Sequence, residues 1–213
     1  SCFYAESGGQ VGDKGIISSE NAEFRVTDTR KTPQGIFIHF GNVISGNFKI
    51  GHEVQLKVDT SLRDLIKKNH SATHLLHAAL RNNLGPHVAQ RGSLVNENKL
   101  RFDFSHNKQI SSNQIDIIQK EVTNIISNDR ETRIDIKSQE EAIKQGAMAL
   151  FGEKYGEEVR VVTLGENNNK PYSIELCGGT HVTNVKDIEK FHIISEESVS
   201  SGVRRIEACT GNK

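Results

Sequence analysis

The sequence predicts an α+β fold. A small N-terminal β-barrel-like subdomain covers residues 1–59, and an α/β sandwich with a mostly antiparallel sheet covers residues 60–213. Three observations predict it. Short alternating runs separated by Gly-rich turns fill the first 59 residues. One long helical period then runs from Ser61 to Leu84. Beyond it, amphipathic helices alternate with strands that pair with near neighbours, which puts helices on one face of the sheet.

In the first subdomain Gly8, Gly9, Gly12 and Gly15 punctuate the opening. Strands follow at residues 23–26, 36–40 and 54–58, with turns at Thr32-Pro33-Gln34-Gly35 and Ser45-Gly46-Asn47. Closure into a barrel or curled sheet is the expectation. The Phe3–Gln10 opening is Gly-rich and polar for a strand, and two readings stand: a turn, or a loop against the substrate.

The stretch SLRDLIKKNHSATHLLHAALRNNL, residues 61–84, organises the chain. Ser61 and Asp64 have the spacing of a capping box, and Gly85-Pro86 supplies the stop. Leu62, Leu65, Ile66, Leu76, Ala79 and Leu80 form one apolar stripe, and His70 and His74 sit at its edge, four residues apart on one face. A zincin protease would carry Glu after the first histidine; Ser71 stands there instead, so that reading is poor.

Residues 88–95 and 100–104 predict a hairpin around Asn96-Glu97-Asn98. Leu100, Phe102 and Phe104 share one face and Arg101 and Asp103 the other, where they can pair. Residues 112–127 form a second helix with Ile115, Ile118, Val122 and Ile125 as its stripe. A strand at 133–136 follows, then a third helix opened by a Ser138/Glu141 capping box. Strands at 159–164 and 172–176 bring Cys177 to the end of a sheet. Asp187, Glu189 and Lys190 lie in a short helical connection. Strands at 191–195 and 203–209 close the sheet across a Ser/Gly-rich link, residues 198–202.

Cys177-Gly-Gly-Thr-His181 repeats the four-residue separation of His70 and His74. Thiolate and imidazole suit zinc, and His70, His74, Cys177 and His181 make a tetrahedral set. Gly178 and Gly179 let the backbone pass close to an ion or substrate. A structural or a catalytic zinc is equally compatible with these residues. Four protein ligands leave no open position for water, unless one is displaceable or the shell expands. His77, on nearly the face of His70, is a replacement ligand, a packing residue or a surface contact.

Hydrophobic residues make up 35% of the chain and charged residues 25%, with net charge zero, which excludes only a uniformly basic nucleic-acid binder. Charge is distributed unevenly. Residues 61–101 hold seven Lys or Arg against two acids, so a solvated helix face and a phosphate-facing patch both stand. Lys67, Lys68, Arg81 and Arg91 are the candidate contacts of such a patch. No apolar run approaches a membrane span. Three cysteines, with Cys2 and Cys209 the only plausible pair outside the metal set, fit a reducing cytoplasm. Ser1 at the start and a sole Met148 predict a piece excised from a longer protein.

The runs FYAESGGQVGDKG from Phe3, NHSATHLLHAALR from Asn69, LRFDFSH from Leu100, CGGTHV from Cys177 and SGVRRIEACTG from Ser201 resemble the editing region of alanyl-tRNA synthetases. The resemblance runs almost end to end, in the same order. Related pieces occur in the second additional domain of threonyl-tRNA synthetase and in freestanding alanyl-tRNA editing proteins. The first and last runs are more like the synthetase.

The resemblance implies a zinc-dependent deacylase, part of an alanine–tRNA ligase. It would cleave seryl or glycyl esters of tRNA(Ala) to free amino acid and tRNA. His70, His74, Cys177 and His181 match the family's zinc ligands, and Gln90 matches a position associated with editing. The implied partners are the tRNA(Ala) acceptor end and the remainder of the synthetase, whose ATP-binding, adenylate-forming half is not in this chain. A pocket that takes serine and rejects alanine must hydrogen-bond the extra hydroxyl. Thr73, Thr180 and Gln90 are candidates, against ordinary roles as packing or backbone-bonded side chains. The alternative is an acceptor-end binding module with a purely structural zinc.

Overall fold

The computed structural model describes residues 1–148, 156–166, 168 and 170–211. Four strands come first: β1 (Gly15–Ser19), β2 (Ala22–Lys31), β3 (Phe37–Ser45) and β4 (Gln55–Val58). They form an antiparallel sheet in the order β3-β2-β1-β4. β3 and β4 remain edges among the described residues, so the expected barrel is an open sheet. Alternation specifies strands, but closure needs the two outer strands to meet in a matched stagger. This sheet also encloses little apolar material. Ala22 and Val26 are buried, whereas Ile36, Ile38, Phe40, Val43 and Ile44 are exposed.

Helix α1 (Thr60–Leu84) follows. Its cap is Asp59, whose carboxylate accepts from the Leu62 N–H, rather than the expected Ser61/Asp64 box. The chain leaves β4 at Val58, so the helix begins before Ser61 is reached. At the other end Gly85, at φ 115, donates its N–H to the Arg81 carbonyl. The expected stripe holds only for the first turns. Every residue from Asn69 to Leu80 is buried, so the helix centre is enclosed on all sides.

It is enclosed because two sheets meet it. The first contains β5 (Gln90–Val95), β6 (Leu100–Ser105), β10 (Phe191–Ser200) and β11 (Val203–Thr210), in the order β10-β11-β6-β5. The second is β7 (Arg133–Ser138), β8 (Glu158–Leu164) and β9 (Ser173–Leu176). Helix α1 contacts β5, β6 and β11 of the former, and β8 and β9 of the latter. Leu75, Leu76, Leu80, Phe102 and Phe104 are fully buried there, each contributing about 1.5–3 kcal/mol by leaving water.

The hairpin of β5 and β6 forms as the alternation predicts. Asp103, however, bonds Arg205 at 2.6 and 2.9 Å, while Arg101 stays 3.7 Å from it. Helix α2 (Ser112–Ile126) is capped by Ser111 and Gln114 in a capping box and buries Ile118, Val122 and Ile126. Helix α3 (Gln139–Lys144) starts at Ser138, whose hydroxyl accepts from the Glu141 N–H. A single 3-10 turn, Val185–Ile188, is the expected helical connection. Residues 198–202 are not a loose link: β10 and β11 pair through Ser200 and Val203, leaving a tight turn at Gly202, φ 73.

Candidate metal centre

The two distant motifs converge. Helix α1 presents His70 and His74, and the turn after β9 presents Cys177 and His181. One donor atom from each lies within 4.8 Å of the others. The Cys177 sulfur is 3.5 Å from His70 Nε2 and 3.3 Å from His181 Nε2. The three imidazole centroids stand 4.4–5.2 Å apart. Among the described residues this is the one His/Cys/carboxylate group with such geometry. Three borderline nitrogens from buried imidazoles and one soft sulfur, within reach of a common point, suit zinc and could hold it.

Neighbours fix each donor. Gln10 is fully buried, and its Oε1 lies 2.7 Å from His70 Nδ1 and 2.9 Å from the Thr180 N–H it accepts. Its Nε2 donates to Thr180 Oγ1 at 2.9 Å. With Nδ1 directed at Gln10, His70 turns Nε2 to the sulfur, where it could ligate an ion. Ser71, which stands where a protease would carry Glu, lies 3.1 Å from His181 Nδ1 and accepts from the Val182 N–H. Arg160 ties down the turn by donating to the carbonyls of Cys177 and Gly179 at 2.6 and 2.8 Å.

Electrostatics agree with a ligand set. Burial pushes the Cys177 thiol up, but His70 and His74 outweigh it and hold it well below the usual thiol value. Burial opposes charge on His74, yet Glu175 and Cys177 raise it to about 9. Burial, with the charge of His70, lowers His181 to about 3.

The centre forms one wall of a cavity of about 280 Å³. Thr73, Gln90, Ser93 and Gly178 line it, as do Tyr4, Ser7 and Gly8 of the opening loop. That loop turns, through the Ser7–Gln10 bridge, and it borders the cavity. Thr73 Oγ1 donates to the Asn69 carbonyl. Thr180 bonds Gln10 and lies outside the lining. Gly179 passes so close to His70 that any side chain there would meet the imidazole, whereas Gly178 has open space around it.

His77 points elsewhere. It is buried, bonds Glu175 at 3.0 Å and packs on Phe102 at 5.0 Å, so it is a packing residue and not a surface contact. Of the basic candidates, Lys67 bonds Asp64 and Lys68 pairs with Glu189. Arg81 donates to the carbonyls of Pro86 and Val88, closing the end of α1. Arg91 is exposed beside Gln90. Sequence reasoning missed Gln10, Ser71, Arg160 and Glu175 as supports of the centre.

Two family models match parts of the chain. The second additional domain of threonyl and alanyl tRNA synthetases matches residues 159–207, which carry Cys177 and His181. A model of class II tRNA synthetases (A) matches residues 1–62. The particular relatives are alanine–tRNA ligases. The chain is 54% identical over 213 residues to that of Parvibaculum lavamentivorans. It is 51% identical over 214 residues to that of Mesorhizobium japonicum. Each alignment covers 98% of this chain and 24% of the relative, so the chain spans about a quarter of the length of the curated relatives it matches. The chain is related to the alanyl-tRNA synthetases along nearly its whole length, as the motifs indicated. No described helix is long and apolar enough to cross a membrane.

Proposed function

We propose that this chain is the editing segment of a cytoplasmic alanyl-tRNA synthetase, hydrolysing the ester of tRNA(Ala) mischarged with serine or glycine. The observation that carries this reading is the four-donor centre opening onto a cavity lined by Thr73 and Gln90, within a chain 54% identical to part of an alanine–tRNA ligase. His70, His74, Cys177 and His181 would hold zinc, which supplies Lewis acidity or a bound water of lowered pKa.

The chain's own residues supply position and selection. Gln90 and Thr73 line the cavity and carry polar groups, Thr73 as an acceptor only because its hydroxyl donates to Asn69. They could bond a seryl hydroxyl that an alanyl ester lacks, an argument that covers serine and not glycine. Thr180 serves as the partner of Gln10 and so fixes His70. Gly178 keeps the cavity wall open to the ester, and Gly179 admits the His70 ring. Arg91, exposed next to Gln90 of the cavity lining, is placed to meet the acceptor end, with Lys67, Lys68 and Arg81 as the other candidate contacts.

The test is deacylation of seryl-, glycyl- and alanyl-tRNA(Ala), with and without zinc. Serine and glycine should be released and alanine spared, and Cys177→Ala should lose the activity while keeping its fold. Full activity in that variant would overturn the reading. A second reading, an acceptor-end binding module with a structural zinc, has in its favour that four protein donors fill a tetrahedral ion. Its mark would be unfolding by a chelator together with no turnover on any of the three substrates.

A further inference from the structure

Glu175 takes no part in the reaction proposed above, yet its carboxylate is almost wholly buried, at 3% exposure. It stands on β9, two residues before Cys177. One oxygen lies 3.0 Å from His77 Nδ1 and 3.4 Å from Ser173 Oγ. The other lies 3.6 Å from His74 Nδ1, a buried nitrogen with no hydrogen-bond partner. A buried carboxylate costs several kcal/mol unless a charge compensates it.

We propose that Glu175 is a positioning residue of the metal centre, keeping His74 in the Nδ1–H form with Nε2 turned to the ion, while His77 anchors the carboxylate. The inference rests on the metal reading of the four donors.

Three arguments support it. A neutral imidazole has one donor and one acceptor nitrogen, and the nitrogen facing a carboxylate must carry the proton, since two lone pairs would repel. The outward nitrogens of the other two imidazoles face uncharged groups, Gln10 for His70 and Ser71 for His181. Glu175 alone brings charge. One thiolate against a divalent ion leaves a net positive charge, to which the Arg160 guanidinium on the Cys177 and Gly179 carbonyls adds, and the Glu175 carboxylate offsets part of it. Finally, His77 is held in turn by its contact with Phe102, so the chain of support runs from the core to the ligand. At 3.6 Å the Glu175–His74 contact is a charge contact rather than a hydrogen bond, so it acts on orientation and basicity.

The test uses zinc titration against a chromophoric chelator and histidine nitrogen NMR. Glu175→Gln keeps the size and removes the charge. It should bind zinc about 10–100-fold more weakly than the unmodified chain with its circular dichroism unchanged. In the zinc-loaded chain His74 should give the signals of the Nδ1–H tautomer. Its nitrogen shifts should move in Glu175→Gln while those of His70 and His181 stay, a selective change that a merely structural carboxylate would not produce. An unchanged zinc affinity in Glu175→Gln, or an Nε2–H tautomer at His74, overturns the proposal. If Glu175→Gln fails to fold, Glu175→Asp, which keeps the charge but draws it back from His74, takes its place in the titration: weakened zinc binding supports the proposal and an unchanged affinity overturns it. Failure of the unmodified chain to take up zinc is a separate result of the same titration, and it removes the metal reading along with this inference.

Discussion

Gly179 lies against the imidazole of His70 so closely that a β-carbon at that position would overlap the ring and also reach Gln10 Oε1 at 2.9 Å. The two residues are far apart in the chain, one on helix α1 and one in the turn after β9. Their contact is where the two halves of the centre meet.

Gly179→Ala should therefore displace His70 rather than unfold the protein, because the obstructed atoms belong to a side chain able to rotate. Zinc affinity should fall by at least about tenfold, the scale seen when supporting groups of a metal ligand are disturbed. Gly178→Ala is the control: its added carbon meets nothing within 4 Å, and its affinity should match the parent. Competition with a chelator measures both. Equal losses in the two variants would refute the steric argument.

Gln10→Ala removes a fully buried amide that serves His70 and Thr180 together. It leaves the Thr180 N–H and the His70 Nδ1 proton without partners. Each such orphan costs about 1–3 kcal/mol. Chemical denaturation of the metal-free variant should show a loss of a few kcal/mol, with weakened zinc uptake on top. A variant as stable as the parent would mean that another group replaces the amide.

That amide also shows what local sequence can and cannot reveal. His70 and His74 share a face by helical period alone, and Leu100, Phe102 and Phe104 share one by strand period, so both were legible. The cap was misplaced: spacing pointed to Ser61 with Asp64, and the exit from β4 puts it at Asp59. Gln10 lies 60 residues from His70 and 170 from Thr180, and nothing in its own neighbourhood encodes either bond. Glu175 reads as one more alternating strand position until His74 and His77 are brought over it. The barrel failed for the same reason, since pairing of β3 with β4 is a long-range event that alternation does not specify.

Stability of the metal-free chain should fall as pH drops below about 6.5. His181 is lowered to about 3 from an ordinary 6.5, so between those values the unfolded chain binds a proton that the folded chain refuses. Cys177, held low, acts in the same direction wherever the unfolded thiol is protonated. His74, raised to about 9, acts oppositely between 6.5 and 9, where the folded chain keeps a proton that the unfolded chain has lost. In that upper range the Cys177 and His74 effects cancel, and stability should be nearly flat. Below 6.5 His74 is protonated in both states, so the cancellation ends and the loss begins. Each unbalanced proton contributes a slope of about 1.4 kcal/mol per pH unit. Urea midpoints across pH 4–9 check this, and a midpoint that rose on acidification would contradict it.

The opening segment is latched to α1 by a buried ion pair, and breaking it should cost more than any surface pair. Asp13 is 1% exposed and accepts from the Tyr4 N–H at 2.6 Å and from Arg63 Nε at 3.0 Å, with a second, shorter bond from Arg63 Nη2. Arg63 also donates to the Cys2 carbonyl at 2.7 Å. This fork joins residues 2–13 to the first turn of the helix, and the same segment carries Gln10 to His70. Arg63→Ala leaves Asp13 charged, buried and short of its partner, a situation that costs about 3–5 kcal/mol. The double variant Arg63→Met with Asp13→Asn removes both charges and should recover part of that loss. Zinc affinity should drop in Arg63→Ala more than in the double variant, since Gln10 is held in register by this latch. Denaturation and zinc titration of the three proteins decide it: a single variant no less stable than the parent would mean that the backbone contacts of residues 2–13 hold the segment without the ion pair.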